Sequence, residues 1–159
     1  MIEIKIETEI DQSAEKCWGI FGGQYANIQN WMSGVSKSEP EGTSFQDSPI
    51  SSRKIYSKGI SFSEKLTLFS DEQRAFNYEV IGLPFVVKSA KNDWKFTETN
   101  GKTTLHMHLR IELASGFGWL LSGVIRSNIS KAMYLLHKDF KHFAETGKVH
   151  PRKEKELGN

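Results

Sequence analysis

Arg53 and Glu64 are placed by the sequence to meet across a hairpin. Lys58-Gly59 suits a two-residue turn between the runs 52–57 and 60–70. Such a turn sets Ser57 against Ile60, Ile55 against Phe62 and Arg53 against Glu64. Side chains alternate along a strand, so Glu64 shares its face with Phe62, Leu66 and Leu68. That face is apolar, and the carboxylate is therefore expected inside, beside the guanidinium. A buried charge is costly unless paired. The pair has two readings: a polar anchor orienting a ligand's carboxyl, hydroxyl or keto group, or an ion pair that fixes the sheet register.

Further polar groups fall on the same side. A three-residue turn at Asp71-Glu72-Gln73 sets Phe76 opposite Leu68 and Tyr78 opposite Leu66, which puts Tyr78 inside. Its hydroxyl either donates to a ligand or finds a backbone carbonyl in the core. Asn92, Trp94 and Phe96 alternate together, so Asn92 is a polar group in an apolar wall and needs a partner. Asn128 interrupts the apolar side of a long C-terminal helix in the same way.

Other chemistries find less support. His106-x-His108 has the spacing of two zinc ligands on a strand. Both share the face of Arg110 and Glu112, opposite the apolar residues, and no third ligand is evident. No metal site and no cofactor is expected. His137 and His142 lie near the end of the long helix, where cations suit the helix dipole, and no chemistry is assigned to them. Cys17, beside Trp18 in a short helix, is expected to be buried and inert. There is no Gly-x-Ser-x-Gly elbow, phosphate loop or dinucleotide fingerprint, so no catalytic residue is assigned.

The elements that must hold these residues are legible from periodicity. Ile2, Ile4, Ile6 and Ile10 alternate with charged residues and predict a strand. Ala14–Phe21, capped by Asp11 or Ser13, and Tyr25–Met32 predict two short helices. Strands are expected at 35–39, 52–57, 60–70, 74–81, 86–98 and 102–114, the last two joined at Asn100-Gly101. From about Phe117 to Glu145 the stripe Leu121, Ile125, Ile129, Ala132, Leu136, Phe140 and Phe143 predicts one helix of roughly 40 Å. The charged segment 147–159 is expected to fray. A single domain over 1–146 follows, with the long helix packed across one apolar sheet face.

Composition narrows the partners. With 21 basic and 19 acidic residues the net charge is only +2, which argues against a dedicated nucleic-acid binder. One cysteine excludes an internal disulfide. There is no apolar run long enough to span a bilayer, and the first residues form a patterned strand rather than a signal peptide. Stable membrane insertion is not expected, and the expected compartment is the cytoplasm.

This order of elements resembles the superfamily of START-domain proteins, polyketide cyclases and the major birch pollen allergen, known as SRPBCC. Three stretches carry the resemblance over residues 2–145: Ile4 to Trp18 with the later Trp31; Ser52-Arg53-Lys54-Ile55; and Glu64-Lys65-Leu66 followed by 71–80, an acidic turn, Arg74 and an aromatic strand. The second departs from the family's Gly-x-x-Arg in lacking the glycine. The nearest subgroup is the small bacterial polyketide-cyclase/dehydrase-like proteins. The resemblance implies an α+β helix-grip fold, a curved seven-stranded antiparallel sheet around a long C-terminal helix, with two short helices between strands 1 and 2. It also implies a hydrophobic cavity between sheet and helix.

The cavity candidates are Arg53, Ile55, Phe62, Glu64, Leu66, Phe76, Tyr78, Asn92, Trp94, Met107, Leu121, Ile125, Asn128 and Ala132. Gly116, Gly118 and Gly123, around Phe117, Trp119 and Leu120, either loosen a cavity mouth or let the helix pack closely. The loop Gly82-Leu83-Pro84-Phe85 is similar to the gate of plant hormone receptors in the superfamily, but it follows the fifth strand instead of the third, so it is not read as that gate. The resemblance implies binding or transport of a small hydrophobic molecule such as a lipid or polyketide. The alternative is a cyclase, aromatase or hydrolase in which Glu64, Arg53 and Tyr78 steer an enolisable substrate. An interaction module using exposed tryptophan or the basic tail is the third reading. An open cavity with Arg53 and Glu64 in free space favours ligand handling; a collapsed one with a closed pair favours a structural role.

Overall fold

The alternating isoleucines of the first strand settle against the last strand. The computed structural model describes residues 1–116 and 118–158. Strand β1 (Ile2–Ile10) pairs antiparallel with β7 (Lys102–Leu113), Ile2 opposite Ile111 and Ile10 opposite Thr103. Between them in the chain come β2 (Lys37–Glu41), β3 (Ser52–Ser57), β4 (Ile60–Ser70), β5 (Ala75–Ile81) and β6 (Val87–Thr99). The sheet order is β1-β7-β6-β5-β4-β3-β2, antiparallel throughout. With helix α2 (Gly118–Thr146) lying across it, this is the expected helix-grip arrangement. Phe117, the expected first residue of that helix, lies outside the described residues.

Helix α1 (Ala14–Phe21) starts where Ser13 Oγ accepts from the Lys16 N–H at 3.2 Å. The second short helix is a 3₁₀ helix over Tyr25–Asn30, tighter and shorter than the expected helix. The Lys58-Gly59 turn holds both residues at positive φ, +48° and +81°, the conformation a two-residue hairpin needs. Its register is the expected one: Ser57 meets Ile60, Ile55 meets Phe62, Arg53 meets Glu64.

The next hairpin departs from expectation. Leu66 does oppose Tyr78, but a bulge between Leu66 and Leu68 shifts the register, so Phe69, not Leu68, faces Phe76. Leu68 turns to the outer face and Phe69 is buried in its place. Arg74 leaves the strand and sits in the turn at φ +48°.

The interior is divided. Trp18, Phe21, Phe69, Phe76, Phe96 and Phe140 form a cluster of rings with centroids about 5–6 Å apart that fills one end of the sheet. The C-terminal half of α2 packs there, burying Leu136, His137, Asp139, Phe140 and Ala144. Its first turns pass the emptier end, and Trp119, Leu120, Leu121 and Val124 stay exposed. The apolar stripe predicts one continuous face, yet its burial is uneven: Leu136 and Phe140 are buried, Ile125 and Ile129 only partly, and Leu121 is exposed.

The segment expected to fray is instead helix α3 (Pro151–Leu157). His150 caps it by accepting from the Arg152 N–H, and Pro151 sits in its first turn. Several charges of the tail have partners. Lys153, 3% exposed, donates from Nζ to the Val35 carbonyl at 2.8 Å. Arg152 Nη2 donates to Asp139 Oδ1 at 2.7 Å, and the fully buried Asp139 also accepts from the Ser33 N–H at 2.9 Å.

Candidate functional site

The end of the interior that the aromatic cluster leaves free is a cavity of about 360 Å³. Its floor is the inner face of β3 to β7, its roof Ile129, Ala132, Met133 and Leu136 of α2, and its side Ile28, Met32 and Val35. A groove between α2 and α3 shares Met32, Ser57, Ile60, Ile129 and Ala132 with it, so the groove adjoins the cavity.

Most of the predicted residues reach this space. Arg53, Ile55, Phe62, Glu64, Tyr78, Asn92, Trp94 and Ala132 line it. Six do not. Leu66 and Met107 are buried beside it in the core, and Phe76 belongs to the aromatic cluster. Ile125 is half-buried against the core, and Leu121 is exposed. Asn128 is exposed and lines the outer groove. Leu66, Phe76 and Met107 share a cause: the sheet's inner face runs past both halves of the interior, and alternation does not say where one half ends.

The polar wall is tightly knit. Arg53 Nε donates to Glu64 Oε2 at 2.6 Å, and the arginine is 2% exposed. Its Nη1 donates to the Tyr25 carbonyl at 2.6 Å, and its guanidinium lies 3.9 Å from the Tyr25 ring centre. Tyr25 Oη in turn donates to the Glu64 carbonyl at 3.0 Å. The pair is closed while the cavity is open, so each half of the expected discrimination is met by a different feature. Tyr25 is legible in the sequence only as a core residue at helical spacing; its role comes from a strand distant in sequence.

Beside the pair, Asn92 Nδ2 donates to Tyr78 Oη at 3.2 Å. Burial, with Glu64 nearby, pushes the Tyr78 hydroxyl well above the ordinary tyrosine range. Asn92 Oδ1 and Trp94 Nε1 are buried and have no well-aligned partner among the described residues. His137 stacks on Trp94 with centroids 5.4 Å apart, and its Nδ1 lies 2.8 Å from Thr8 Oγ1. Burial pushes its pKa down to about 4, so the ring is neutral near pH 7. The sequence suggests only a helix-dipole histidine there.

The outer-face histidines stay outside. His106 Nδ1 is 2.9 Å from Glu7 Oε1 and its Nε2 is 2.8 Å from Thr97 Oγ1. Among the described residues no group of three or more His, Cys, Asp or Glu side chains could hold a metal ion. Cys17 is fully buried, and desolvation raises its thiol pKa. No helix among the described residues is long and apolar enough to cross a membrane. At the start of α2, a Cβ on Gly118 would come within 2.5 Å of Leu113 Cβ, so this glycine permits close packing; Gly123 has open space around it. Leu83, from the loop after β5, does line the cavity.

A family model described as "Polyketide cyclase / dehydrase and lipid transport" matches residues 1–147. No curated protein matches the chain. Several solved structures share the fold. A START superfamily protein from Mycobacterium smegmatis aligns with a TM-score of 0.72 at 12% identity, over 92% of this chain and 99% of that one. Zhui aromatase/cyclase from Streptomyces sp. R1128 aligns with a TM-score of 0.69 at 10% identity, over 94% and 99%. A protein from Thermus thermophilus aligns with a TM-score of 0.69 at 14% identity, over 90% and 97%. At these identities the likeness is one of fold.

Proposed function

We propose that this chain, which belongs to the polyketide cyclase / dehydrase and lipid transport family, binds a small hydrophobic molecule between its sheet and α2 and acts as a carrier or binding protein in the cytoplasm. The observation that carries this reading is the cavity of about 360 Å³, apolar in most of its wall and holding one compact polar cluster. The enzymatic alternative has less support. Glu64 is held by Arg53, Tyr78 keeps its proton well above neutrality, and His137 is turned toward Thr8. Tyr78 and His137 are therefore poorly set to exchange a proton with a substrate near pH 7.

Native mass spectrometry after incubation with a cellular lipid extract tests the proposal. One or a few small apolar molecules should be retained. A retained molecule at a hundred times its Kd should stabilise the fold by about 2.7 kcal/mol in thermal melts. Retention of nothing from the extract, together with no binding of a simple apolar probe, would end the proposal.

A further inference from the structure

We propose that the start of α2 and the loop before β6 form a docking face for a bilayer surface that carries anionic lipid. This face is distinct from the cavity, and what the cavity holds does not bear on it.

The first ground is where apolar surface is exposed. Among the described residues ten large hydrophobic side chains are exposed, and five of them, Phe85, Trp119, Leu120, Leu121 and Val124, belong to this end of the molecule. The fold brings loop and helix together there. The Ala114 N–H donates to the Val86 carbonyl at 2.9 Å, Val87 pairs with Leu113, and Gly118 packs directly on Leu113. Phe85 is 86% exposed and Trp119 74%, so each ring stands out from the surface instead of leaning on its neighbours. A protein partner would need a pocket shaped for each ring. The interfacial layer of a bilayer takes in separate protruding rings and suits the indole N–H of a tryptophan.

The second ground is charge. The chain as a whole is close to neutral, at +2. From Gly118 to Lys138, by contrast, α2 carries Arg126, Lys131 and Lys138 and no acidic residue. All three cations are exposed, and none has a carboxylate partner among the described residues. On the outward side of the helix Leu120 and Val124 are followed by Lys131 and Lys138, at spacings of four and seven residues. Glu112, at the end of β7, is already paired with Lys88 at 2.7 Å. Apolar side chains followed by unpaired cations on one face match a lipid interface, where the alkyl stems lie along the acyl boundary and the charges sit among the headgroups. A second copy of this chain would instead place the same unpaired cations on both sides of the contact.

Flotation of the intact chain with vesicles tests the docking face. Vesicles of equal parts phosphatidylcholine and phosphatidylglycerol should bind the parent at least about thirtyfold more tightly than phosphatidylcholine alone, at about fivefold for each of two cations. Salt at about 1 M should bring the two affinities together. Trp18, Trp31 and Trp94 are buried, so a blue shift of tryptophan emission on binding reports Trp119. Trp119→Phe should keep the binding and lose the shift. Phe85→Ser with Trp119→Ser should weaken binding by about tenfold or more. Arg126→Gln with Lys131→Gln should weaken it about thirtyfold on the mixed vesicles. All these positions are exposed, and the circular dichroism of each variant should match the parent's. No binding to the mixed vesicles, equal binding to both kinds at low salt, or binding without a blue shift would overturn the proposal, and all three are read in the parent. Vesicle binding unchanged in both double variants would overturn it too. So would a dimer, formed without vesicles, that Phe85→Ser with Trp119→Ser converts to a monomer, since a second copy would then be the occupant.

Discussion

At the scale of single residues, the Arg53–Glu64 pair decides how the cavity wall responds to change. Glu64→Gln removes the carboxylate that neutralises a guanidinium 2% exposed. Breaking a buried pair from one side costs about 3–5 kcal/mol. Urea denaturation of Glu64→Gln should show a loss of that order, and the double change Arg53→Met with Glu64→Leu should recover most of it. A single variant as stable as the parent would mean that the pair does not hold the wall. His137 gives a second prediction, in acid. Its pKa falls from 6.5 in the unfolded chain to about 4 in the fold because burial penalises the charged ring. Between those values the unfolded chain binds a proton that the folded chain refuses, so stability is full above about pH 6.5 and declines as the pH drops toward 4. The full effect is about 3 kcal/mol. His137→Phe should flatten stability across that window; an unchanged slope would show that other groups carry it. Glu64 was legible in the sequence because its apolar neighbours fix its direction. Tyr25 and His137 were not, since their partners, Arg53 and Thr8, come from remote parts of the chain.

At the scale of elements, the strands and α1 were legible to within a residue or two because period-two and capping signals are local. The β4 bulge was not: neither glycine nor proline marks it, and it is set by how Phe69 enters the aromatic cluster. Helix α3 was missed for a different reason. Its charges read as solvated, whereas Lys153 and Arg152 each reach a buried acceptor, the Val35 carbonyl and Asp139. Lys153→Met should cost about 1 kcal/mol through the orphaned carbonyl. Arg152→Ala should cost about 2 kcal/mol, because the acceptor it abandons is a charged and fully buried carboxylate. Both are read from denaturation midpoints. Midpoints equal to the parent's would restore the view of the tail as a solvated appendage.

At the scale of the whole molecule, the order of elements was enough to indicate a sheet gripping a helix. How the interior is shared between packed rings and open space was not, because both ends present the same alternation of apolar residues. The sheet's first strand also bears on how the chain is made. β1 lies at an edge and pairs only with β7, so Ile2 meets Ile111 across most of the chain. At synthesis rates of about 5–20 residues per second, its partner follows it from the ribosome by roughly 5–20 seconds. Through that interval β1 is an apolar ribbon with two free edges, able to pair with whatever strand it meets. Closing it onto β7 also carries the largest loop entropy in the sheet, which makes it the natural candidate for the last and slowest pairing. The emerging chain therefore depends on its alternating charges, Glu3, Lys5, Glu7 and Glu9, to keep that ribbon soluble until the sheet can take it in.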